Sequence, residues 1–485
     1  MDSILPYLYT SLPFLFVALV ALLSVVGIGV GIVWPRFLVY PYLAIFFWMN
    51  STSYGSLAAF AGPGVYSRGS GLLYFALVQW YILGAWCCAR VSASFQRFGA
   101  PACNLRPWFL GWFVLLGCHV GVALASNVKL SDALAPSGFS NIVWMAPLVS
   151  LMQLSFRTQQ HALELARFIL LAGLGRAMFG LVRWAAFGGD PNNVYANMNA
   201  IKIKLTFFDI NDSLLCAVAF SIAAVNLFQA AKTERPRFWV LVEWATLGAT
   251  VLCLVLSYRR TAWIGFVLAF AIVMMRFPLK RRMQLAVAGV PAVGAALLYV
   301  ALKRFSQTKG AGGGVGSLVY DMESRRFGAE SERVLELKLA LADFLNHIVT
   351  GIGSWGRYAG YQHISWQANP DGGLFLHSGV LHIALKAGLV GLVLLAGTIT
   401  AFVLFARRAL RALPPEHLAL ATAGVAGVAF MLPDILVGTP IPQVRTTEML
   451  AICMALPYIA MGVTNGLQGA PAPGPAAVRF KPVYA

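Results

Sequence analysis

The sequence predicts an all-α, polytopic membrane protein, and its composition carries this prediction. Hydrophobic residues make up 59% of the 485 residues and charged residues only 11%, with a mean hydropathy of +0.73. Soluble globular chains carry about 25% charged residues. Many windows exceed the roughly 18 uncharged apolar residues that a membrane-spanning helix requires. The alternating short segments that are typical of membrane β-barrels do not occur in the sequence.

Hydropathy places thirteen candidate spans along the chain. They lie near residues 11–33, 37–50, 71–89, 107–126, 141–156, 166–187, 212–231, 237–257, 262–277, 283–302, 377–406, 417–437 and 446–465. The second candidate has only 14 residues, so it is either re-entrant or an extension of a neighbour. We therefore expect about 12 transmembrane helices, within a range of 11 to 13.

The charge distribution predicts the orientation of the spans. The net charge of +18 reflects basic loops rather than nucleic-acid binding, and we predict no nucleic-acid partner. Segments 90–106, 157–167, 232–237, 276–282 and 407–417 are basic and alternate onto one side, which we assign to the cytoplasm. The intervening segments 189–211, 258–261, 303–376 and 438–445 then face the outside.

Four regions follow from this order. They are N-terminal transmembrane helices over 1–239, a central region over 240–405 that carries the polar motifs, C-terminal transmembrane helices over 406–465, and a tail over 466–485. The tail is rich in Pro, Gly and Ala and is predicted to be disordered. The lipid bilayer is thus an expected partner along most of the chain.

The long outer (periplasmic) loop, 303–376, has structure of its own. Residues 309–317 form a flexible linker by composition. Residues 330–348 carry apolar side chains at 334, 337, 341, 344, 345 and 348, near a period of 3.6. This pattern predicts an amphipathic helix that is packed on the bundle or lies in the membrane interface.

A pair of arginines, Arg259 and Arg260, lies in the tight outer turn SYRRTAW, residues 257–263. Arginines on the outer face run against the positive-inside tendency, so a partner is expected there. The planar guanidinium suits phosphate oxygens. The alternative is a snorkelling pair that anchors the end of a helix.

Further polar residues follow in the long loop and after it. Arg333 lies in the predicted amphipathic helix, with Arg325 and Arg326 upstream. From the residues alone, a solvated helix face with ion pairs to Glu330, Glu332 and Glu336 is favoured for Arg333. Asp434, at the outer end of the next-to-last span, is a lesser candidate, and a capping or structural role suits it equally.

His377 begins the span HSGVLHIALKAGLVGLVLL. A histidine at the membrane boundary can act as a general base near neutral pH. The second histidine, His382, is interpreted as a packing or hydrogen-bonding residue. Gly388 and Gly391 are interpreted as positions that permit close helix packing.

At these residues the sequence resembles the O-antigen ligases. His377-Ser378, nine residues, Gly388, two residues and Gly391 fit the family pattern H-[NSQ]-x9-G-x-x-[GTY] without a mismatch. The SYRRTAW turn is similar to the family's Ser-Arg motif, with Arg260 in the arginine position and Arg259 where serine is usual.

A third motif of the family has a counterpart in the long loop. Ser331-x-Arg333, followed by residues 351–353 (G-x-G), resembles the family's outer-loop arginine and the glycines that follow it. The three motifs also occur in the family's order, and the resemblance covers about residues 240–405.

The resemblance implies a metal-independent, inverting membrane glycosyltransferase that works without a cofactor in surface polysaccharide biosynthesis (O-antigen, lipopolysaccharide or exopolysaccharide). It implies an undecaprenyl-pyrophosphate-linked glycan donor and a glycan or lipid A–core acceptor, used at the periplasmic face of the bacterial inner membrane. The implied catalytic residues are His377, Arg260 and Arg333. The implied substrate-binding residues are Arg259, Arg326 and Asp434.

Two alternatives remain open on the sequence. A polysaccharide polymerase of the same superfamily differs from a ligase only in its acceptor. Arg259 in place of serine is a departure from the ligase motif and leaves the polymerase as an alternative. A lipid-linked glycan flippase or transporter needs a charged central cavity or symmetric broken helices. Arg176 and Arg183 interrupt one span and are the residues that favour this second alternative.

Overall fold

The computed structural model describes residues 22–49, 65–66, 74–96, 103–191, 204–229, 235–306, 329–365, 367–368 and 372–469, and these residues contain helices and no strand. The predicted linker at 309–317, Arg325, Arg326 and the tail from residue 470 lie outside them. In chain order the helices are α1 (Leu22–Val33), α2 (Arg36–Trp48), α3 (Leu77–Phe95), α4 (Arg106–Ala125), α5 (Leu130–Ala133), α6 (Ser140–Ser155), α7 (Gln159–Ala186), α8 (Ile210–Gln229), α9 (Arg237–Val255), α10 (Arg260–Met274), α11 (Leu279–Ser306), α12 (Ala329–Asn346), α13 (Gly379–Ala412), α14 (Pro415–Val437) and α15 (Val444–Gly469).

Each of the thirteen predicted spans overlaps one of these helices. By length and hydropathy, however, only seven described helices suffice to cross a membrane, namely α4, α7, α8, α9, α13, α14 and α15. The number becomes eight if α1 and α2, which meet at a bend of 114°, form one span. The second span was predicted to be re-entrant or an extension of a neighbour, and a bend of this size is typical of a re-entrant loop or a broken span. The expected count of about 12 is not reached because helices such as α10, with 15 residues, are too short by this measure.

Helices α8, α15 and α14 form the centre of the bundle. In the most apolar stretch of each helix, 89%, 83% and 67% of the residues, respectively, are buried. Helix α14 packs against α8, α10 and α15, and α6 packs against α15 and α3. Small residues permit the closest approaches. A Cβ atom added to Gly265 of α10 would stand 2.3 Å from the Phe430 carbonyl oxygen of α14.

Helix α13 is broken at Gly388, where the backbone has φ +62° and ψ −156°. The break is filled by the turn that follows α12. The Leu389 amide donates to the Ile348 carbonyl at 2.7 Å, and the Ile352 amide donates to the Leu385 carbonyl at 2.8 Å. A Cβ on Gly388 would stand 2.3 Å from the Val349 carbonyl oxygen. Gly388 is therefore a backbone break that receives a loop, and its predicted role in helix–helix packing is wrong.

The neighbouring glycines serve the same junction. Gly351 has φ +68°, and a Cβ there would lie 2.4 Å from the Leu385 carbonyl oxygen. Gly353 also has a positive φ, of 92°. These positions require the left-handed conformation, which glycine adopts without steric cost. At Gly391 the close approach is to Ala387, so it packs the two halves of α13 together.

Helix α12 agrees in position with the predicted amphipathic helix, but its apolar stripe faces away from the protein. The stripe residues are about half exposed, at 52%, 46%, 57% and 47% for Val334, Leu341, Leu345 and Ile348. Glu336 and Ala340, on the opposite face, are fully buried. The apolar face is therefore not the face that packs on the bundle.

The stripe continues onto the surface of α13. Leu389 and Val390, which are 51% and 41% exposed, follow the break and are hydrogen-bonded to Ile348 and Val349. The amphipathic helix was predicted either to pack on the bundle or to lie in the membrane interface. An exposed apolar stripe that continues onto the exposed face of α13 fits the membrane interface.

Replacing Gly388 with alanine should destabilise the protein, because the change combines a positive φ with a clash against the Val349 carbonyl. We expect a loss of about 1–3 kcal/mol or more in the free energy of unfolding, measured as a lower unfolding temperature in detergent. The control is Gly248→Ala in α9, where no atom lies within 4 Å of the added Cβ. That variant should be neutral or slightly stabilised, and equal losses in the two variants would contradict this account.

Candidate active site

The carboxylate of Glu336 holds His377 at the start of α13. Its Oε2 atom accepts the backbone amide of His377 at 3.1 Å and lies 2.9 Å from the ring Nδ1. Glu336 is fully buried, whereas the His377 side chain is 23% exposed. An ionised carboxylate only accepts hydrogen bonds, so the proton of the neutral imidazole is held at Nδ1. The other ring nitrogen, Nε2, then carries no proton in the neutral ring.

Gln367 fixes the other oxygen of the same carboxylate. Its Nε2 donates to Glu336 Oε1 at 3.0 Å and to the Phe375 carbonyl at 3.2 Å. Its own Oε1 accepts the Gly373 amide at 2.9 Å. Burial, and secondarily the charge of Glu336, raise the pKa of the nearby Tyr358, so that phenol stays neutral at physiological pH. The carboxylate therefore has one fixed orientation beneath the histidine.

Two further carboxylates on α12 anchor the same loop. Glu332 Oε2 accepts the Ser365 amide at 3.1 Å and the Ser365 hydroxyl at 2.6 Å. Asp343 Oδ2 accepts the Ala359 amide at 2.7 Å. Positions 332, 336 and 343 fall on one face of a helix. Helix α12 thus holds the loop that leads to His377 from the side opposite to its apolar stripe.

This geometry changes the interpretation of the arginine on α12. Arg333 is exposed and lies one turn before Glu336. Glu332 and Glu336 were expected as its ion-pair partners, but they bind the loop instead. Sequence reasoning therefore missed Glu336 as a site residue. The available signal was its place among acidic residues opposite the apolar stripe.

The residues after His377 explain the rest of its motif. Ser378 is the N-cap of α13, and its hydroxyl accepts the Leu381 amide at 3.3 Å. His382 is fully buried and its Nε2 lies 3.0 Å from the Gly138 carbonyl, which confirms a hydrogen-bonding role. The ammonium of Lys386, also fully buried, donates to the Gly356 carbonyl.

The two arginines of the SYRRTAW turn have different environments. Arg259 is the N-cap residue of α10 and donates to the Phe208 carbonyl, with its guanidinium 5.2 Å from the centre of the Phe208 ring. Arg260 is the first residue of α10 and is exposed. Tyr258, just before them, is buried and has φ +54°, a costly conformation for a tyrosine.

The C-terminal turn of α14 lies between the histidine and the arginine turn. A Cβ on Gly379, two residues after His377, would stand 3.0 Å from the Ile435 carbonyl oxygen. The adjacent residue, Asp434, is buried and interacts electrostatically with Arg259. The structure thus connects Asp434 with Arg259 and connects α14 with the start of α13, whereas Arg326 lies outside the described residues.

A cluster of buried charges that the sequence analysis missed lies among α2, α7, α8 and α15. Arg445 pairs with Asp209 at 2.7 Å and with Asp212 at 2.9 Å, and Arg176 pairs with Asp212 at 2.9 Å. The two arginines also donate to carbonyls at the end of α2, those of Phe46, Phe47 and Trp48. The cluster is charge-balanced and caps α2. Only Arg176 had been singled out, because long-range pairing is not visible in a sequence.

Comparison with known families agrees with the motif residues. Residues 245–396 match the family model described as O-antigen ligase, which covers about a third of the chain. No curated protein matches the chain significantly. Within the described part of the chain, His, Cys, Asp and Glu side chains form no group of three that could hold a metal ion. The matched region contains Arg259, Arg260, Arg333, Glu336 and His377. Over residues 245–396 the chain is therefore similar to the O-antigen ligases, and this match supports the resemblance carried by the motif residues.

Proposed function

We propose that the protein is an inner-membrane glycosyltransferase of the O-antigen ligase type. It transfers a glycan from an undecaprenyl-pyrophosphate carrier to an acceptor hydroxyl at the periplasmic face. The observation that carries the proposal is the buried Glu336 carboxylate that holds His377 within a region matched to O-antigen ligases. A histidine fixed in this way at a helix start is arranged as a general base rather than as a packing residue.

In the proposed reaction, the acceptor hydroxyl attacks the anomeric carbon of the carrier-linked sugar from the face opposite the leaving group. The new glycosidic C–O bond forms while the C–O bond to pyrophosphate breaks, which inverts the anomeric centre. Nε2 of His377 takes the hydroxyl proton. Glu336 stabilises the resulting imidazolium through Nδ1. In this proposal the step needs no bound metal.

The arginines supply the charge stabilisation that the lipid pyrophosphate requires. Arg260 and Arg333 are exposed at helix positions in the matched region, and their guanidinium groups suit phosphate oxygens. Arg259 is held by Phe208 and by the charge of Asp434, so we assign it a supporting role in binding. Arg326 precedes α12 in the chain and is proposed as a further pyrophosphate contact.

The acceptor separates a ligase from a polymerase. A ligase uses lipid A–core, and a polymerase uses another carrier-linked repeat. The His377 motif and the description of the matched family favour the ligase. The flippase alternative loses its support from Arg176 and Arg183, because these arginines are paired with Asp212 and Asp190 at 2.9 and 2.8 Å.

His377→Ala and Arg260→Ala should each abolish glycan transfer. Removing a general base costs about a hundredfold to ten-thousandfold in rate. The measurement is transfer of glycan in cells that lack the native protein, with membrane levels checked by immunoblot. The control is His363→Ala, an exposed histidine of the same loop, which should retain activity. Full activity in either test variant would remove that residue from the mechanism.

The lipid-linked products of these inactive variants identify the acceptor. A ligase should leave long polymer on undecaprenyl pyrophosphate. Accumulation of single repeat units would instead show a polymerase.

Glu336→Gln should lower the turnover number by about a hundredfold with little change in KM, because the base loses its fixed orientation while the substrate contacts remain. A glutamine has one acceptor oxygen, whereas three donors approach this side chain, from the amide and Nδ1 of His377 and from Gln367. Glu336→Asp should recover part of the activity.

The matched control for this variant is Glu332→Gln, on the same face of α12, whose carboxylate binds Ser365 rather than His377. It should keep most of the turnover. An equal loss in both variants would show that Glu336 only holds the loop.

A further inference from the structure

A cavity of about 270 Å³ lies at the end of the bundle remote from His377. It is lined by the first turns of α7, α9 and α14 and by the last turns of α8. The two sites lie at opposite ends of α14, because Pro415 borders the cavity and Ile435 contacts the start of α13. Twenty residues of helix separate these positions by about 30 Å. The cavity therefore lies on the side that the basic loops assign to the cytoplasm.

Arg167 is the arginine of the cavity whose guanidinium can donate hydrogen bonds to a ligand. The guanidinium of Arg167 lies 4.5 Å from the centre of the Trp239 ring. Glu243, which interacts electrostatically with Arg167, is already hydrogen-bonded by Arg235 at 2.8 and 2.9 Å and by Asn226 at 2.9 Å. Arg167 makes no hydrogen bond to another residue in the described part of the chain. Its planar fork is therefore positioned for an oxyanion in the cavity.

A second polar group faces the same space. His417 lines the cavity and is only 6% exposed, and its ring makes no hydrogen bond within the described ranges. A ligand oxygen in the cavity could accept a hydrogen bond from this ring. His417 belongs to the first turn of α14, where the helix dipole places partial positive charge. Two groups from different helices thus favour one anion.

The rest of the wall is mostly apolar, although Gln159 and the carboxylate of Glu416 also line it. It consists largely of aliphatic side chains such as Ala166, Leu170, Val225 and Leu420. Leu163, which also lines the cavity, is 47% exposed on a membrane helix, so the cavity opens toward the lipid. An occupant with a phosphate at one end and hydrocarbon at the other matches both parts of this wall.

We propose that this cavity binds the phosphate group of an anionic phospholipid from the cytoplasmic leaflet, with Arg167 and His417 on the phosphate and an acyl chain along the apolar wall. The inference is independent of the proposed glycan transfer, because no residue of the outer site takes part in it. A free phosphate ion shares the polar half of this chemistry, and the experiment separates the two sources.

The test uses the full chain purified in detergent and incubated with phosphatidylglycerol, with phosphatidylcholine or with inorganic phosphate alone. Native mass spectrometry counts retained lipids, and the unfolding temperature reports stabilisation. The wild type should retain phosphatidylglycerol in preference to phosphatidylcholine. Arg167→Ala should weaken that retention about tenfold or more, as expected for the loss of a charge-assisted contact. His417→Ala should weaken it less.

The matched control is Arg237→Ala, an exposed arginine at the start of α9 that does not line the cavity. It should bind lipid as the wild type does. Equal retention by Arg167→Ala and the wild type, with both folded, would overturn the site. Stabilisation by inorganic phosphate that requires Arg167, without retention of phosphatidylglycerol, would overturn the lipid as its source.

Discussion

The outer site depends on the hydrogen bonds that close the break in α13. In a membrane helix the amides and carbonyls freed by a break have no water to bind, so other backbone must satisfy them. Here the turn after α12 does so, through Ile348 and Ile352. Helix α12 in turn holds the loop before His377 through its acidic face. Helix α12, the loop and the first half of α13 are therefore held together by hydrogen bonds. His377 lies where the loop joins α13.

Charge pairing commits three arginines of the membrane helices to the fold. Arg176, Arg183 and Arg445 are matched to buried aspartates. Breaking a buried pair costs about 3–5 kcal/mol, because the remaining charge stays without a partner in a poorly solvated place. These arginines are thus committed to the fold. Arg260 and Arg333 are exposed instead, and they are the arginines that we propose for binding pyrophosphate.

Much of the architecture was predictable because hydropathy is a local property. All thirteen predicted spans overlap helices, and the amphipathic helix was placed within two residues of α12 at each end. The direction of its apolar stripe could not be predicted, because the membrane and the protein interior are both apolar. The span count is not confirmed for a different reason: α10 and α6 have only 15 and 16 residues, fewer than a bilayer-spanning helix requires.

The candidate site was predicted through its motif residues and missed where contacts are long-range. Glu336 and His377 are 41 positions apart, and only the path of the loop brings them together. Along the sequence Glu336 has a nearer explanation, as a neighbour of Arg333 three residues away. Gly388 was recognised as part of a motif, but a positive φ cannot be distinguished from close packing without the backbone.

Arg259 stands where the resembling family usually has serine, and its contacts differ from those of a serine. A serine at the N-cap of α10 would bind the first amides of the helix, a contribution of about 1 kcal/mol. Arg259 makes no such cap, and its guanidinium instead ties the turn to the Phe208 carbonyl before α8. The charge this introduces is offset by the buried Asp434. Arg259 therefore contacts the segment before α8 instead of capping α10. Arg260, which the resemblance places at the family's arginine position, is the first residue of α10.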